Sequence, residues 1–291
     1  MKPAAFDYFA PKSVEEALSL LAEHGYDAKP LAGGQSLVPT MNFRLAQPAV
    51  LVDLNGIDDL FFVRETSDGL RIGAMTRQYT VERSPLVQRR APLIHETMPY
   101  IAHPQIRNRG TFGGSLAHAD PASELPVLAV ILNARMRVQS SRGERWVDAK
   151  DFYLGLFATD LQPDELLVEI AIPDLPAHSG WAFDEVARRH GDYAMAGAAA
   201  TVTLAEDGSI AAARLVYLSV GDYPTEAVRA ETALAGEQPT PAAIRAAAET
   251  AAAQDIDPSG DIHASAGYRR HLAKVLAERV LSRAVERAKE K

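Results

Sequence analysis

Cysteine is absent from the 291 residues. The chain itself therefore holds no disulfide, thiolate-ligated zinc, iron–sulfur cluster or cysteinyl-linked cofactor. Any redox chemistry must come from a bound organic cofactor or from another chain. Positive charge is also short: 30 Lys and Arg stand against 38 Asp and Glu, a net charge of -8. No global field draws in a phosphate backbone, which argues against nucleic acid as a partner. Long apolar runs are missing too. The stretches free of charged residues, 30–43 and 193–205, are broken by Gly, Pro or small residues, and a bilayer span needs about 20 apolar residues. The opening Met-Lys-Pro-Ala-Ala-Phe-Asp has no signal-peptide core, so a cytoplasmic protein without a membrane span is expected.

What remains is ordinary globular composition, 47% apolar and 23% charged, with 19 Gly and 18 Pro dispersed. The length suits two domains. Ser13-Val-Glu-Glu16 reads as a capping box opening a helix over 13–24 that Gly25 stops. Strand-like runs follow at 28–32, 49–54, 61–64 and 70–72. Proline-interrupted helices are expected at 80–90 and 92–100, and a stronger one at 121–133 with Asp120 as its N-cap. A hairpin at 135–147 and a strand at 166–172 complete this part.

The segment Pro173–Gly180, with two prolines and no periodicity, is expected to be an interdomain linker, with the boundary near 177. That divides the chain into 1–176, itself in parts of about 1–57 and 58–176, and 177–291. The second domain is expected to be a small α+β unit: three antiparallel strands at 182–188, 196–204 and 211–220, backed by helices at 241–254 and 265–289. On the last helix Leu272, Val275, Leu276, Val280 and Leu281 form an apolar stripe. Arg269, Arg270, Lys274, Arg283 and Arg287 are expected to form a solvated basic face.

Chemistry concentrates in two places. Ala32-Gly-Gly-Gln-Ser36 follows a predicted strand, and Thr111-Phe-Gly-Gly-Ser115 precedes a predicted helix. Paired glycines allow positive φ and close backbone approach, so consecutive N–H groups can converge on a phosphate. Neither loop is a Walker A motif, and neither fits G-x-G-x-x-G. A single Gly-Gly pair is equally at home in a tight turn; two in one domain suit a pyrophosphate gripped from two sides. From the residues alone both readings stay open. His118-Ala-Asp120 with Ser123 and Glu124 lacks the spacing of a metal motif. No G-x-S-x-G elbow supports a hydrolase.

These two loops, with the continuation Leu-Ala-His-Ala-Asp-Pro-Ala-Ser-Glu-Leu-Pro, resemble the FAD-binding medium subunit of carbon monoxide dehydrogenase and xanthine dehydrogenase type molybdenum hydroxylases. The likeness extends to the opening Phe-Asp-Tyr, Leu51-Val-Asp-Leu-Asn55, Ile72-Gly-Ala-Met-Thr76, the Arg188–Ala194 segment and the C-terminal helix. The resemblance implies an α+β fold: a two-part FAD-binding domain of the vanillyl-alcohol oxidase (PCMH) type, then a C-terminal flavin-subunit domain. It implies that Ala32, Gly33, Gly34, Gln35, Ser36, Thr111, Phe112, Gly113, Gly114 and Ser115 cradle the FAD pyrophosphate. Glu124 matches an acid at the nucleotide end, Leu167 an apolar contact, and Asp192 and Tyr193 residues beside the isoalloxazine. The sequence departs from carbon monoxide dehydrogenases at Gln35 (usually His), Phe112 (often Ile) and Glu124 (often Asp), which weakens carbon monoxide as the substrate.

The function so implied is electron transfer. A large subunit holds the molybdenum cofactor, a small subunit holds [2Fe–2S] clusters, and electrons leave through noncovalent FAD on this chain to an external acceptor, in a dimer of heterotrimers. No residue of this chain then acts as a nucleophile and none binds metal. Two alternatives stand beside it: a self-sufficient flavoprotein oxidase or reductase of the same fold, and a non-catalytic nucleotide-binding scaffold.

Overall fold

The computed structural model describes residues 2–291. The first helix, Val14–His24, begins where Ser13 Oγ accepts the Glu16 N–H at 3.2 Å. The reciprocal half of the box is displaced by one residue, since Glu16 Oε2 accepts from the N–H of Lys12 at 2.7 Å. Gly25 closes the helix at φ 51°. Buried Ala17, Leu18 and Leu21 lie on a three-stranded parallel sheet, ordered Asp7–Phe9, Val50–Asp53, Ala28–Leu31.

A second sheet has five antiparallel strands in the order Val63–Thr66, Gly69–Gly73, Leu166–Pro173, Arg135–Ser140, Gly143–Asp148. The apolar core of the first sheet takes in Leu166 and Val168 from the second. Helices between residues 78 and 131 cover the other side, and their breaks follow proline: Gln78–Arg83, Pro85–Arg90 and Pro92–Thr97. The helix expected from residue 121 starts later, at Glu124–Ile131. Asp120 does not cap it. Its Oδ1 accepts the Ala122 N–H at 2.9 Å, so the Asp120-Pro121 pair makes an Asx turn ahead of the helix.

The three strands expected after residue 177 form a sheet as Ser179–Val186, Ala196–Leu204 and Ile210–Leu218, with two-residue Thr225–Glu226 added at one edge. The helix Ala266–Lys289 lies across it. Small residues permit the close approach: a Cβ on Gly180 would stand 1.9 Å from the Ala284 carbonyl oxygen. The expected solvated basic face is corrected in part: Arg283 is exposed and Lys274 half-buried, but the other three cations are drawn to backbone carbonyls. Arg269 is buried and donates to the carbonyls of Met195 and Ser219 at 2.6 and 3.0 Å; Arg270 reaches those of Ala252 and Ile256, and Arg287 that of Trp181. These guanidiniums satisfy carbonyls beside strand and helix ends and, at Trp181, within the first strand of the sheet, a use that helical periodicity does not reveal. Among the described residues no helix is long and apolar enough to cross a membrane.

Candidate functional site: a cleft between two glycine loops

A cleft of about 990 Å³ is lined by residues of the first two sheets and of the connection between Ser179–Val186 and Ala196–Leu204 in the third. That is the upper end of the roughly 300–1,000 Å³ typical of small-molecule and cofactor sites. Ala32, Gly33, Gly34, Gln35 and Ser36 line it, as do Thr111, Gly113, Gly114, Ser115, Glu124, Leu167, Asp192 and Tyr193. Phe112 stands apart: its side chain is 1% exposed and belongs to the core.

The first loop leaves strand Ala28–Leu31 and enters helix Leu37–Asn42. Gly34 has φ 73°, which a β-carbon disfavours. Between Gly33 and Ser36 no backbone N–H finds an acceptor among the described residues. Such a run of free amides needs water or a ligand, and converging amides suit an anion. Lys29, just upstream, also lines the cleft and makes no ion pair among the described residues.

The second loop is closed on itself. Phe112 N–H donates to Thr76 O at 2.9 Å, Gly113 N–H to Ala74 O at 2.8 Å, Gly114 N–H to Thr111 Oγ1 at 3.1 Å, and Ser115 N–H to Thr111 O at 3.2 Å. Its glycines serve packing. A Cβ on Gly113 would meet Ala74 Cβ at 2.5 Å, and one on Gly114 would meet Thr111 Oγ1 at 2.4 Å. The two loops also touch, since a Cβ on Gly33 would stand 2.4 Å from Arg109 O and 2.8 Å from Gly110 Cα. Bulk at Gly33 therefore collides first with the neighbouring loop.

The remaining walls differ in character. Leu167 sits where the register of strand Leu166–Pro173 against Arg135–Ser140 shifts. Glu124 is buried, and that burial, with the nearby Asp120 charge as a smaller cause, pushes its carboxyl up to about 7. Glu185 is raised as well, by burial first and then by Glu124 and Asp184. Two such neighbours resist ionising together. Burial lowers His118, which lines the cleft with its ring centroid 5.1 Å from that of Phe157.

At the third sheet, Asp192 is held ionised by Arg189 at 3.2 Å, its carboxyl below the ordinary value. Tyr193 beside it is 68% exposed. The preceding Gly191, at φ 85°, lies against His103; a Cβ there would meet the imidazole at 2.4 Å. Sequence reasoning missed Lys29, His118, Phe157 and Gln78 as cleft residues. Gln78 carries the strongest sign among them, a buried Oε1 with no partner. Two of them had a sequence signal: His118 stands in the stretch that continues the second loop, and Lys29 is a cation just ahead of a glycine pair.

An α+β frame with two glycine loops facing one large cleft, one of them rich in free amides, defines a nucleotide-cofactor domain carrying a further α+β unit. Comparison with known proteins gives the family. Residues 4–175 match the model for the FAD binding domain in molybdopterin dehydrogenase, and residues 181–284 match the CO dehydrogenase flavoprotein C-terminal domain. The chain is 46% identical over 99% of its length, and 97% of the relative's, to the alpha subunit of the 6-hydroxypseudooxynicotine dehydrogenase complex of Paenarthrobacter nicotinovorans. It is 43% identical, with 99% and 97% covered, to the beta subunit of caffeine dehydrogenase of a Pseudomonas species. A solved carbon monoxide dehydrogenase from Hydrogenophaga pseudoflava, lacking the Mo-pyranopterin moiety, superposes with a TM-score of 0.95 at 41% identity, covering 99% of each chain. The chain belongs to the FAD-binding medium-subunit family of carbon monoxide dehydrogenase and xanthine dehydrogenase type molybdenum hydroxylases, and is an oxidoreductase subunit.

Proposed function

We propose that this chain is the electron-exit subunit of a heterotrimeric molybdenum hydroxylase, taking electrons from [2Fe–2S] clusters of a small partner and passing them through FAD to an external acceptor. A large subunit carries the molybdenum cofactor, and the assembly is a dimer of heterotrimers in the cytoplasm. The observation that carries this reading is the run of amides at 33–36 without an acceptor among the described residues, opening on the same cleft as the second loop and Asp192-Tyr193.

The residues present fit FAD. Gly33, Gly34, Gln35 and Ser36 offer N–H donors to a diphosphate, Thr111, Gly113, Gly114 and Ser115 form the facing wall, and Phe112 anchors that wall in the core. Glu124, in its protonated form, can donate to and accept from a hydroxyl at the nucleotide end. Leu167 gives an apolar face, and Tyr193, held beside Arg-paired Asp192, gives an aromatic one that excludes water from one side of a ring. Bound flavin accepts electrons singly and releases them in pairs, and the protein orients it and tunes its potential. The absence of cysteine excludes a cysteinyl link, and with no histidine assigned to a covalent bond FAD is held noncovalently in this reading. The chain divides functionally near residue 177, with 1–57 and 58–176 closing on the cofactor and 177–291 supplying Asp192 and Tyr193.

The test is co-purification with the two partner subunits. Expected is a yellow complex whose flavin is released by acid and bleaches when the complex is given its oxidisable substrate. A preparation that stays colourless after FAD supplementation contradicts the proposal. A chain that turns over alone, without partners, favours the self-sufficient oxidase, and bound flavin that never bleaches favours the scaffold.

A further inference from the structure

Three stretches marked in the sequence, Phe6-Asp7-Tyr8, Leu51–Asn55 and Ile72–Thr76, are distant from one another in the chain. The polar side chains of Tyr8, Asp53 and Asn55 do not line the cleft, nor does Arg77, which follows the third stretch. They meet instead in one hydrogen-bonded network. Tyr8 Oη donates to Asp53 Oδ2, and Asp53 Oδ1 accepts from the Asn55 backbone N–H at 2.9 Å and from its Nδ2. Asn55 Nδ2 also donates to the Ala32 carbonyl at 2.9 Å, and Asn55 Oδ1 accepts from Arg77 Nη2. The other arm of that guanidinium, Nη1, donates to the Arg109 carbonyl at 2.6 Å.

Both carbonyls precede a loop glycine. Ala32 leads into Gly33, and Arg109 O is the atom against which Gly33 is packed. In a trans peptide the N–H points opposite to the C=O, and the described chain has no cis bonds. Fixing the Ala32 carbonyl toward Asn55 therefore turns the Gly33 N–H away from the network, to the side where it has no acceptor among the described residues. Fixing Arg109 O sets the distance between the two loops.

We propose that Asn55 and Arg77, oriented by Asp53 and Tyr8, are positioning residues that aim the first-loop amides at the cofactor diphosphate and hold the two loops in register. This rests on the FAD reading above. A brace that serves only folding makes a different prediction, because it changes stability without changing the diphosphate environment.

The test uses the full chain with its partner subunits, in wild type and in Arg77→Gln, Arg77→Lys, Asn55→Ala and the Arg77→Gln/Asn55→Ala double variant. FAD affinity is read by fluorescence titration, the bound diphosphate by phosphorus NMR, and the flavin-free protein by thermal melting. Expected is about a tenfold loss of FAD affinity in Arg77→Gln, the equivalent of one or two net hydrogen bonds, with displaced phosphorus resonances. Arg77→Lys should recover only part, since a single ammonium cannot fork between Arg109 O and Asn55 Oδ1. The double variant should be no worse than the weaker single, as one clamp requires. Should Arg77→Gln fail to fold, Arg77→Lys and Asn55→Ala carry the same comparison. Variants that bind FAD within twofold of wild type with unmoved resonances, or that lose only melting temperature, overturn the brace. A wild type that binds no FAD overturns the flavin reading itself.

Discussion

The two glycine loops share a pattern, a Gly-Gly pair with a serine after it, and differ in what their backbones have left to give. At 33–36 no amide finds an acceptor among the described residues, while every amide from Phe112 to Ser115 has one. The sequence pattern suggested two equivalent cups. The fold makes one a donor surface and the other a wall, because the second loop is tied to Thr76 and Ala74 by its backbone. Glycine thus has two uses here: in the first loop it leaves amides free, and in the second it lets the backbone pack against a neighbouring strand end.

Substitutions can break this contrast, beginning with the largest effect. Gly33→Val puts a side chain 2.4 Å from Arg109 O, forcing the loops apart; FAD affinity should fall by about a hundredfold or more, near 3 kcal/mol, beyond its loss of melting temperature. Gly113→Val meets buried Ala74 at 2.5 Å and should act the other way, costing about 1–3 kcal/mol of stability by overpacking with a smaller change in flavin affinity. Equal ratios of the two losses in both variants would erase the distinction.

The next effect depends on pH. The Glu124 carboxyl rises from 4.5 to about 7 on folding, so its protonated form supports the native state fully below pH 4.5. That support is withdrawn as pH climbs to 7. Glu124→Gln should flatten the stability profile across this window and melt above wild type beyond pH 7. An unchanged slope contradicts the buried, protonated acid. Smallest is Thr111→Val, which removes the cap on the Gly114 N–H; about 1 kcal/mol of stability should be lost, with FAD affinity little altered.

Much of the frame was legible because local signals and tertiary packing agree. Ser13 and Gly25 bound the first helix, and an uncharged run of small residues ending in Thr-Val-Thr-Leu marks Ala196–Leu204. Loop 32–36 was legible as a glycine pair after a strand, but whether its amides are free depends on partners far along the chain. The same holds for Arg77, which joins Asn55 to Arg109, and for Arg269, which reaches Met195 and Ser219. A guanidinium satisfying remote carbonyls has no periodicity, so such residues look like surface charge in the sequence. Asp120 misled for a related reason: before Pro121 it can cap a helix or close an Asx turn, and the backbone decides.

The most direct measurement is amide hydrogen exchange across both loops in the flavin-free and FAD-supplemented protein. Amides 33–36 should exchange rapidly without FAD and become strongly protected with it, whereas those of 112–115 should be protected in both states. Equal gains in the two loops, or protection gained only in the second, would contradict the assignment of the first loop as the diphosphate's donor surface.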